Sequence, residues 1–327
     1  MSVSLAPNPE KTRIRGSRIY GADNVFPMEV VDLGDSGLRV SRVGVGCNNF
    51  GGRIDVEATR AVVDAALDAG VTFFDTADVY GNDGGSERFL GEILEGSRDR
   101  VVLATKFGWG SESGIGSAES VRRAIDGSLQ RLRTDHVDLY YLHKPDPETP
   151  IDETLGALDE LVSAGKVGAI GCSNFSAEQL AEADRAAREH DTARFTVLQN
   201  HYSLLERGDD EDVLPLCREL DIPYIPYFPL ASGLLTGKYQ RGEPAPEGTR
   251  LHGREIDDTR LARVEELRRF ADERGYGLLD LVISALASTP GIASVIAGAT
   301  KPEQVRANAA AGEWHLDAAD LDALAEL

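Results

Sequence analysis

Asp75, Tyr80, Lys106 and His143 are the residues of this chain whose types and placing could do chemistry together. Asp75 and Tyr80 stand in TFFDTADVYG (72–81), where an apolar run turns abruptly polar. Lys106 ends VVLATK and His143 ends VDLYYLH, each again at the close of an apolar run. A tyrosine beside a lysine suits proton transfer to a carbonyl oxygen. A free phenol titrates near about pH 10, and a neighbouring ammonium favours the phenolate and lowers that value. Asp75 would keep the lysine charged and in place. A histidine at the same mouth can donate a hydrogen bond to a substrate oxygen and stabilise developing charge. Taken singly, each residue also has a plainer use. An acid can cap a loop, a tyrosine can sit half-buried, a lysine can pair for structure, and a histidine before Lys-Pro-Asp-Pro can turn the chain. What separates the readings is that the four recur at successive strand ends.

Those strands are the elements that must position them. Further polar residues close further apolar runs: Ser173 and Asn174 after VGAIGC, Gln199 in FTVLQ, Tyr227 in IPYIPY. The strand ends are read at Gly46, Asp75, Lys106, His143, Cys172, Gln199, Tyr227 and Ala297. Most follow one another by roughly 30 residues, the length of one βα unit. Chemistry at the C-terminal ends of parallel strands predicts an α/β chain folded as a (β/α)8 TIM barrel, whose site is built on that face. The first barrel strand is read over Ser41–Gly46. Asp55 can cap a helix running to about Ala69, with Gly70 at its end. Thr149 and Pro150 read as N-cap and first-turn proline of another helix, and Ser176 with Gln179 as a capping box.

Residues 28–327 are expected to form this single barrel domain, and the polar residues 1–27 an N-terminal extension. MEVVDL-GDSG-LRVSR reads as a β-hairpin that could plug the N-terminal end of the barrel. The gap from Tyr227 to Ala297 is about 70 residues, too long for a simple connection. It holds two helices near 258–275 and 278–287, giving extra helices toward the C-terminus. It also holds a Gly/Pro-rich loop, Leu230–Asp257, which reads either as a lid or as a disordered insertion.

The 327 residues, 42% of them hydrophobic, suffice for one large core. The net charge of -21 argues against nucleic acid and anionic membranes as partners, since both need a basic footprint. No apolar run approaches the roughly 18 residues of a membrane span. Residues 1–24 have no apolar core of a secretory signal, so a cytoplasmic location is expected. The 3 cysteines, Cys47, Cys172 and Cys217, lack metal-ligand spacing, so no metal is expected. A dinucleotide fingerprint is missing: GVGCNNFGG and GWGSESG break the GxGxxG pattern, and neither opens a helix directly after a strand. A nicotinamide cofactor would have to lie in the barrel mouth.

FDTADVYG, ATKFG, YYLHKPD, GCSNF, VLQNHYSLLER, YFPLASGLLTGKY and GATKPEQVRANAAA occur in this order. With them the chain resembles the aldo-keto reductases, of the bacterial NAD(P)H-dependent type, from about Pro27 to its C-terminus. The resemblance implies a barrel that binds NAD(P)H without a Rossmann fold. It implies reversible reduction of an aldehyde or ketone to the alcohol, with hydride from nicotinamide C4 and the proton from Tyr80. Asp75, Tyr80, Lys106 and His143 would be the catalytic tetrad, Lys106 and Asp75 tuning the tyrosine and His143 orienting the carbonyl. Ser173, Asn174 and Gln199 would hold the carboxamide, and Tyr227 would stack on the nicotinamide, bordered by Gly46 and Cys47. Leu230, Gly233 and Leu234 would line the pyrophosphate with Lys238 near it. Gly298, Thr300, Lys301, Gln304 and Asn308 would meet the adenosine end. Phe50, Trp109 and Lys144 would form the substrate pocket.

The sequence departs from the family pattern at the adenosine phosphate, where Gly298, Ala299 and Gln304 stand for the usual Lys, Ser and Arg. Lys301, with the Thr300 hydroxyl assisting, is expected to supply the missing cation, giving a moderate preference for NADPH, with NADH also possible. Two other readings are open: a regulatory binding subunit similar to potassium-channel β-subunits, and a Schiff-base aldolase using Lys106, which would not need Tyr80 or Gln199.

Overall fold

The computed structural model describes residues 28–110 and 114–327. The extension expected over residues 1–27 lies outside the described residues. The hairpin is present. Strands β1 (Val30–Asp32) and β2 (Arg39–Ser41) pair antiparallel, with Val31 opposite Val40. Gly34 and Gly37 take positive φ in the turn between them, a conformation that glycine adopts without steric cost.

Eight parallel strands follow: β3 (Val43–Gly46), β4 (Phe73–Asp75), β5 (Val102–Phe107), β6 (Val137–Leu142), β7 (Val167–Ser173), β8 (Leu198–His201), β9 (Tyr224–Tyr227) and β10 (Val295–Gly298). From β3 to β9 each pairs with the next, and β10 pairs with β3 in register from Val295–Val43 to Gly298–Gly46. A bridge between Tyr224 and Ile292 joins the start of β9 to the chain entering β10 and nearly closes the ring. The first strand is shorter than Ser41–Gly46. The Ser41 hydroxyl donates to the Val43 carbonyl and accepts from the Thr72 and Phe73 amides. Ser41 therefore ends the hairpin, and the barrel begins at Val43.

Helices alternate with these strands: α1 (Val56–Asp68), α2 (Gly85–Ile93), α3 (Ala118–Leu132), α4 (Ile151–Ser163), α5 (Ala177–His190) and α6 (Val213–Glu219). Then α7 (Asp258–Glu273) and α8 (Leu278–Ser288) fill the long gap, and α9 (Pro302–Ala311) and α10 (Ala318–Ala325) follow β10. Asp55 caps α1 by accepting from the Ala58 amide at 2.9 Å. Ser176 and Gln179 form the capping box of α5. On α4 the cap differs from expectation by one residue. The Thr149 hydroxyl donates to Asp146 at 2.7 Å, so Pro150 takes the N-cap position and the helix starts at Ile151. Among the described residues no helix is long and apolar enough to cross a membrane.

The strands sort their side chains by strict alternation. Phe73, Ala104, Leu139, Tyr141, Ala169, Val197, Ile225 and Ile296 cluster inside the barrel, while Phe74, Leu103, Tyr140, Leu142, Ile170, Leu198 and Tyr224 face the helices. Leu33 and Val40 of the hairpin belong to the inner cluster and are fully buried, so the hairpin seals its lower end. Large inner residues fit because glycine stands beside them. A Cβ on Gly44 would lie 2.8 Å from Phe73, and one on Gly171 would lie 2.7 Å from Tyr141. Continuing the inward series by two residues gives Gly46, Asp75, Lys106, His143, Ser173, Gln199, Tyr227 and Gly298. The same parity that builds the apolar floor thus delivers a polar layer at the mouth.

Candidate active site

At the base of the mouth Lys106 is fully buried, and its Nζ donates to Asp75 Oδ1 and, at 3.0 Å, to the Thr76 carbonyl. The second Asp75 oxygen accepts from Gln199 Nε2 at 2.9 Å. A buried ion pair survives only when its remaining hydrogen-bonding capacity is met, and both carboxylate oxygens are met here. Burial alone would lower the lysine pKa, but Asp75 and Tyr80 outweigh it and hold the ammonium above its ordinary value. An ammonium so held is a poor nucleophile, which counts against the Schiff-base reading.

Tyr80 lies above this pair, with Lys106 Nζ 5.1 Å from its ring centroid. Its pKa runs opposite to the expectation from the sequence. Burial raises it more than Lys106 lowers it, and Asp75 raises it further. The carboxylate that holds the lysine cancels part of its field, so the phenol stays protonated through the neutral range. His143 meets Tyr80 edge-on, ring centroids 5.8 Å apart, and Trp109 covers it at 4.6 Å. Burial, then Lys106 and Lys144, push the imidazole down to about 2, so it is neutral. Its Nδ1 is buried with no protein partner among the described residues.

Around this cluster opens a cleft of about 1000 Å³, at the upper end of the range for small-molecule sites. Gly46, Asp75, Tyr80, Trp109, His143, Ser173, Asn174, Gln199, Tyr227 and Gly298 line it, as do Leu230, Gly233 and Lys238. Thr300, Lys301, Gln304 and Asn308 line it around the start of α9. Asn174, in a left-handed conformation (φ 62), ties three elements together. It donates to the His143 carbonyl and the Ser173 hydroxyl and accepts from the Tyr227 hydroxyl at 2.8 Å.

Four expected contact residues sit elsewhere. Phe50 is fully buried in the outer core and does not reach the cleft. Lys144 does not line it either, because its Nζ donates to the Gly110 carbonyl. Cys47 is fully buried with its thiol on the Val45 carbonyl, and burial pushes that thiol up. Leu234 is buried in the outer core. Gln304 and Thr300 are engaged with each other, since Gln304 Oε1 accepts from the Thr300 amide and hydroxyl at 2.8 and 3.2 Å. The Thr300 hydroxyl is therefore not a free assistant to Lys301. The sequence reading missed Arg53, Phe228 and Arg250, which line the cleft. Arg250 donates to Asn49 at 3.1 Å and lies over the Phe228 ring. Phe228 was within reach, as it follows Tyr227 at a strand end.

The residues fit a nicotinamide dinucleotide. Gly46 and Gly298 face one another across β3 and β10, and a Cβ on Gly298 would stand 3.2 Å from Asn49. Ala231, Ser232 and Gly233 take consecutive positive φ values, a backbone concavity of the kind that takes a phosphate. Lys238 lies at this turn, and Lys301 stands at the N-cap position of α9 without a side-chain capping bond, where a phosphate is favoured.

The sequence pattern of the aldo/keto reductase family matches residues 42–327. Among characterised and named proteins the chain is 38% identical to a probable voltage-gated potassium channel subunit beta of Oryza sativa subsp. japonica, over 86% of this chain and 90% of that one. It is 36% identical to the aldo-keto reductase YhdN of Bacillus subtilis (strain 168), over 90% and 91%. It is 32% identical to the L-glyceraldehyde 3-phosphate reductase of Escherichia coli (strain K12), over 84% and 85%.

Proposed function

The chain belongs to the aldo/keto reductase family, and on that premise we propose that it reduces an aldehyde or ketone to the alcohol at Tyr80, drawing on NAD(P)H. The observation that carries the proposal is the Tyr80 phenol beside the buried Lys106–Asp75 pair, with His143 edge-on to it. A nicotinamide held in the mouth would supply the hydride. Tyr80 gives its proton to the carbonyl oxygen, and Lys106 stabilises the phenolate that remains. Asp75, held by Gln199, keeps the ammonium charged. His143, being neutral, offers its N–H to the same oxygen and turns the carbonyl toward Tyr80. Ser173, Asn174 and Tyr227 hold the cofactor end nearest the chemistry. Lys238 and the 231–233 turn would hold the pyrophosphate, and Lys301 would favour NADPH moderately over NADH.

Tyr80→Phe tests the assignment. Reduction of a simple aldehyde should fall by about 10²–10⁴-fold, the usual weight of a general acid. The Kd for NADPH, read from quenching of tryptophan fluorescence, should stay nearly unchanged. Single-turnover reduction within about tenfold of wild type would remove Tyr80 from the role. A second reading, a binding subunit that holds the cofactor without ordinary turnover, is favoured by the relatives named as channel β-subunits. A panel of aldehydes and ketones run with NADPH and with NADH separates the two. Tight cofactor binding with no steady-state turnover on any of them supports the second.

A further inference from the structure

The chain leaving β5 turns through Gly108 (φ 82), whose Cβ position would stand 3.1 Å from Leu142, and then reaches Trp109 and Gly110. Trp109 is 54% exposed, yet its ring lies 4.6 Å from that of His143 at an angle of 45°. Packing does not hold a ring that is more than half in solvent, so the backbone beneath it must be held. Three ties do this, linking the end of β5 and the β5–α3 loop to the β6–α4 loop. The His143 amide donates to the Phe107 carbonyl at 2.8 Å, and the Gly116 amide donates to Asp146 at 2.8 Å. Between them, Lys144 Nζ donates to the carbonyl of Gly110, the residue next to Trp109. A lysine suits the task, because its flexible stem and point charge reach a carbonyl without demanding planar geometry.

We propose that Lys144 is a positioning residue: by holding the Gly110 carbonyl it fixes Trp109 against His143 and so sets the cleft wall against which the substrate's side group rests. Val79, Tyr80 and Phe228 line the same cleft, so the group that gains from a fixed wall is a flat, apolar one, such as an aryl ring. A small aliphatic carbonyl does not reach the wall. The inference rests on the carbonyl-reductase reading for its kinetic part only.

The test uses Trp314→Phe protein, in which Trp109 is the sole tryptophan of the original 2. Trp314 stacks on Tyr276 at 3.9 Å and takes no part in the site. In this background Lys144→Met should lower the fluorescence anisotropy of Trp109 and raise its quenching by acrylamide, and Lys144→Arg should restore most of both. With benzaldehyde the Met variant should show a KM raised about fivefold, the factor carried by one ordinary hydrogen bond, with kcat within about twofold. The KM for acetaldehyde should stay put. Burial and Lys106 still keep His143 neutral without Lys144, so kcat at neutral pH is not drawn down. Unchanged Trp109 anisotropy in the Met variant overturns the proposal. So does a KM that rises equally for both aldehydes, or a kcat that falls with KM fixed. Should the wild type turn over neither aldehyde nor any other carbonyl of the wider panel, the reductase reading fails by itself. A loss of anisotropy in the Met variant that Arg restores then still upholds the positioning role.

Discussion

His143 is buried in its neutral form, and that has a price in acid. In the unfolded chain its imidazole titrates near the ordinary value of 6.5, while in the fold it is pushed down to about 2. Between those values the unfolded state binds one proton more, so stability rises with pH and falls as pH drops below 6.5. The slope for one group is about 1.4 kcal/mol per pH unit, which amounts to about 2 kcal/mol between neutral pH and pH 5. Urea unfolding at pH 7 and pH 5 should show wild type losing about that much more than His143→Gln, which cannot titrate there. Equal losses in the two proteins would show that His143 is protonated in the fold. At the start of α9, Lys301→Ala should weaken NADPH binding by about 1–3 kcal/mol, the range for a bond to a charged group, and leave NADH almost untouched. Equal losses for both cofactors would mean that Lys301 does not read the 2′-phosphate.

The four residues singled out for chemistry were legible because each ends an apolar run, and a run's end is visible in sequence. Their convergence is a matter of strand parity. Asp75 lies two residues beyond the inward Phe73, Lys106 two beyond Ala104 and His143 two beyond Tyr141. What stayed hidden is what a side chain does when two directions are open to it. Lys144 follows the site histidine in sequence but turns to the neighbouring loop's carbonyl. Phe50 follows Asn48 and Asn49, two polar residues of the mouth, but drops into the outer core. The shift on Tyr80 was misread for a related reason: the sequence puts a lysine nearby but not the depth of the phenol or the share of the lysine's field that Asp75 absorbs. The connection between β9 and α7 can be treated as an element of its own. Arg53 donates to the Gly248 carbonyl at 3.4 Å and Arg250 to Asn49 at 3.1 Å, so this loop is tied across to the β3–α1 loop beside the cleft. If it clamps a ligand, trypsin should cut the apo protein at the exposed Arg241, and saturating NADPH should slow that cut markedly. Equal rates with and without cofactor would sink the clamp.

At the scale of the molecule, the barrel has two cores, an inner one of strand side chains and an outer one between strands and helices. The hairpin joins the inner core through Leu33 and Val40. Leu33→Ala should therefore cost about 2–5 kcal/mol, as a buried leucine does, and leave KM and kcat nearly unchanged, because the site lies at the opposite end. A shift in the urea midpoint worth less than about 1 kcal/mol would show that the hairpin merely rests on the barrel. The pairing of β3 with β10 matters before the molecule is complete. Asn49 and Ala299, which hydrogen-bond across that seam, are 250 positions apart. A ribosome adding about 5–20 residues per second needs roughly 10–50 s to span such a distance. Once residue 143 has been added, and for the remainder of that interval, a nascent chain holds Asp75, Tyr80, Lys106 and His143 but keeps the edge of β3 open, a template for wrong pairing. The cleft residues between 298 and 308 begin at the last residue of β10 and run into α9. Ring closure thus waits on the stretch that also carries Lys301, and a nascent chain that has not reached β10 holds the four residues in an open barrel.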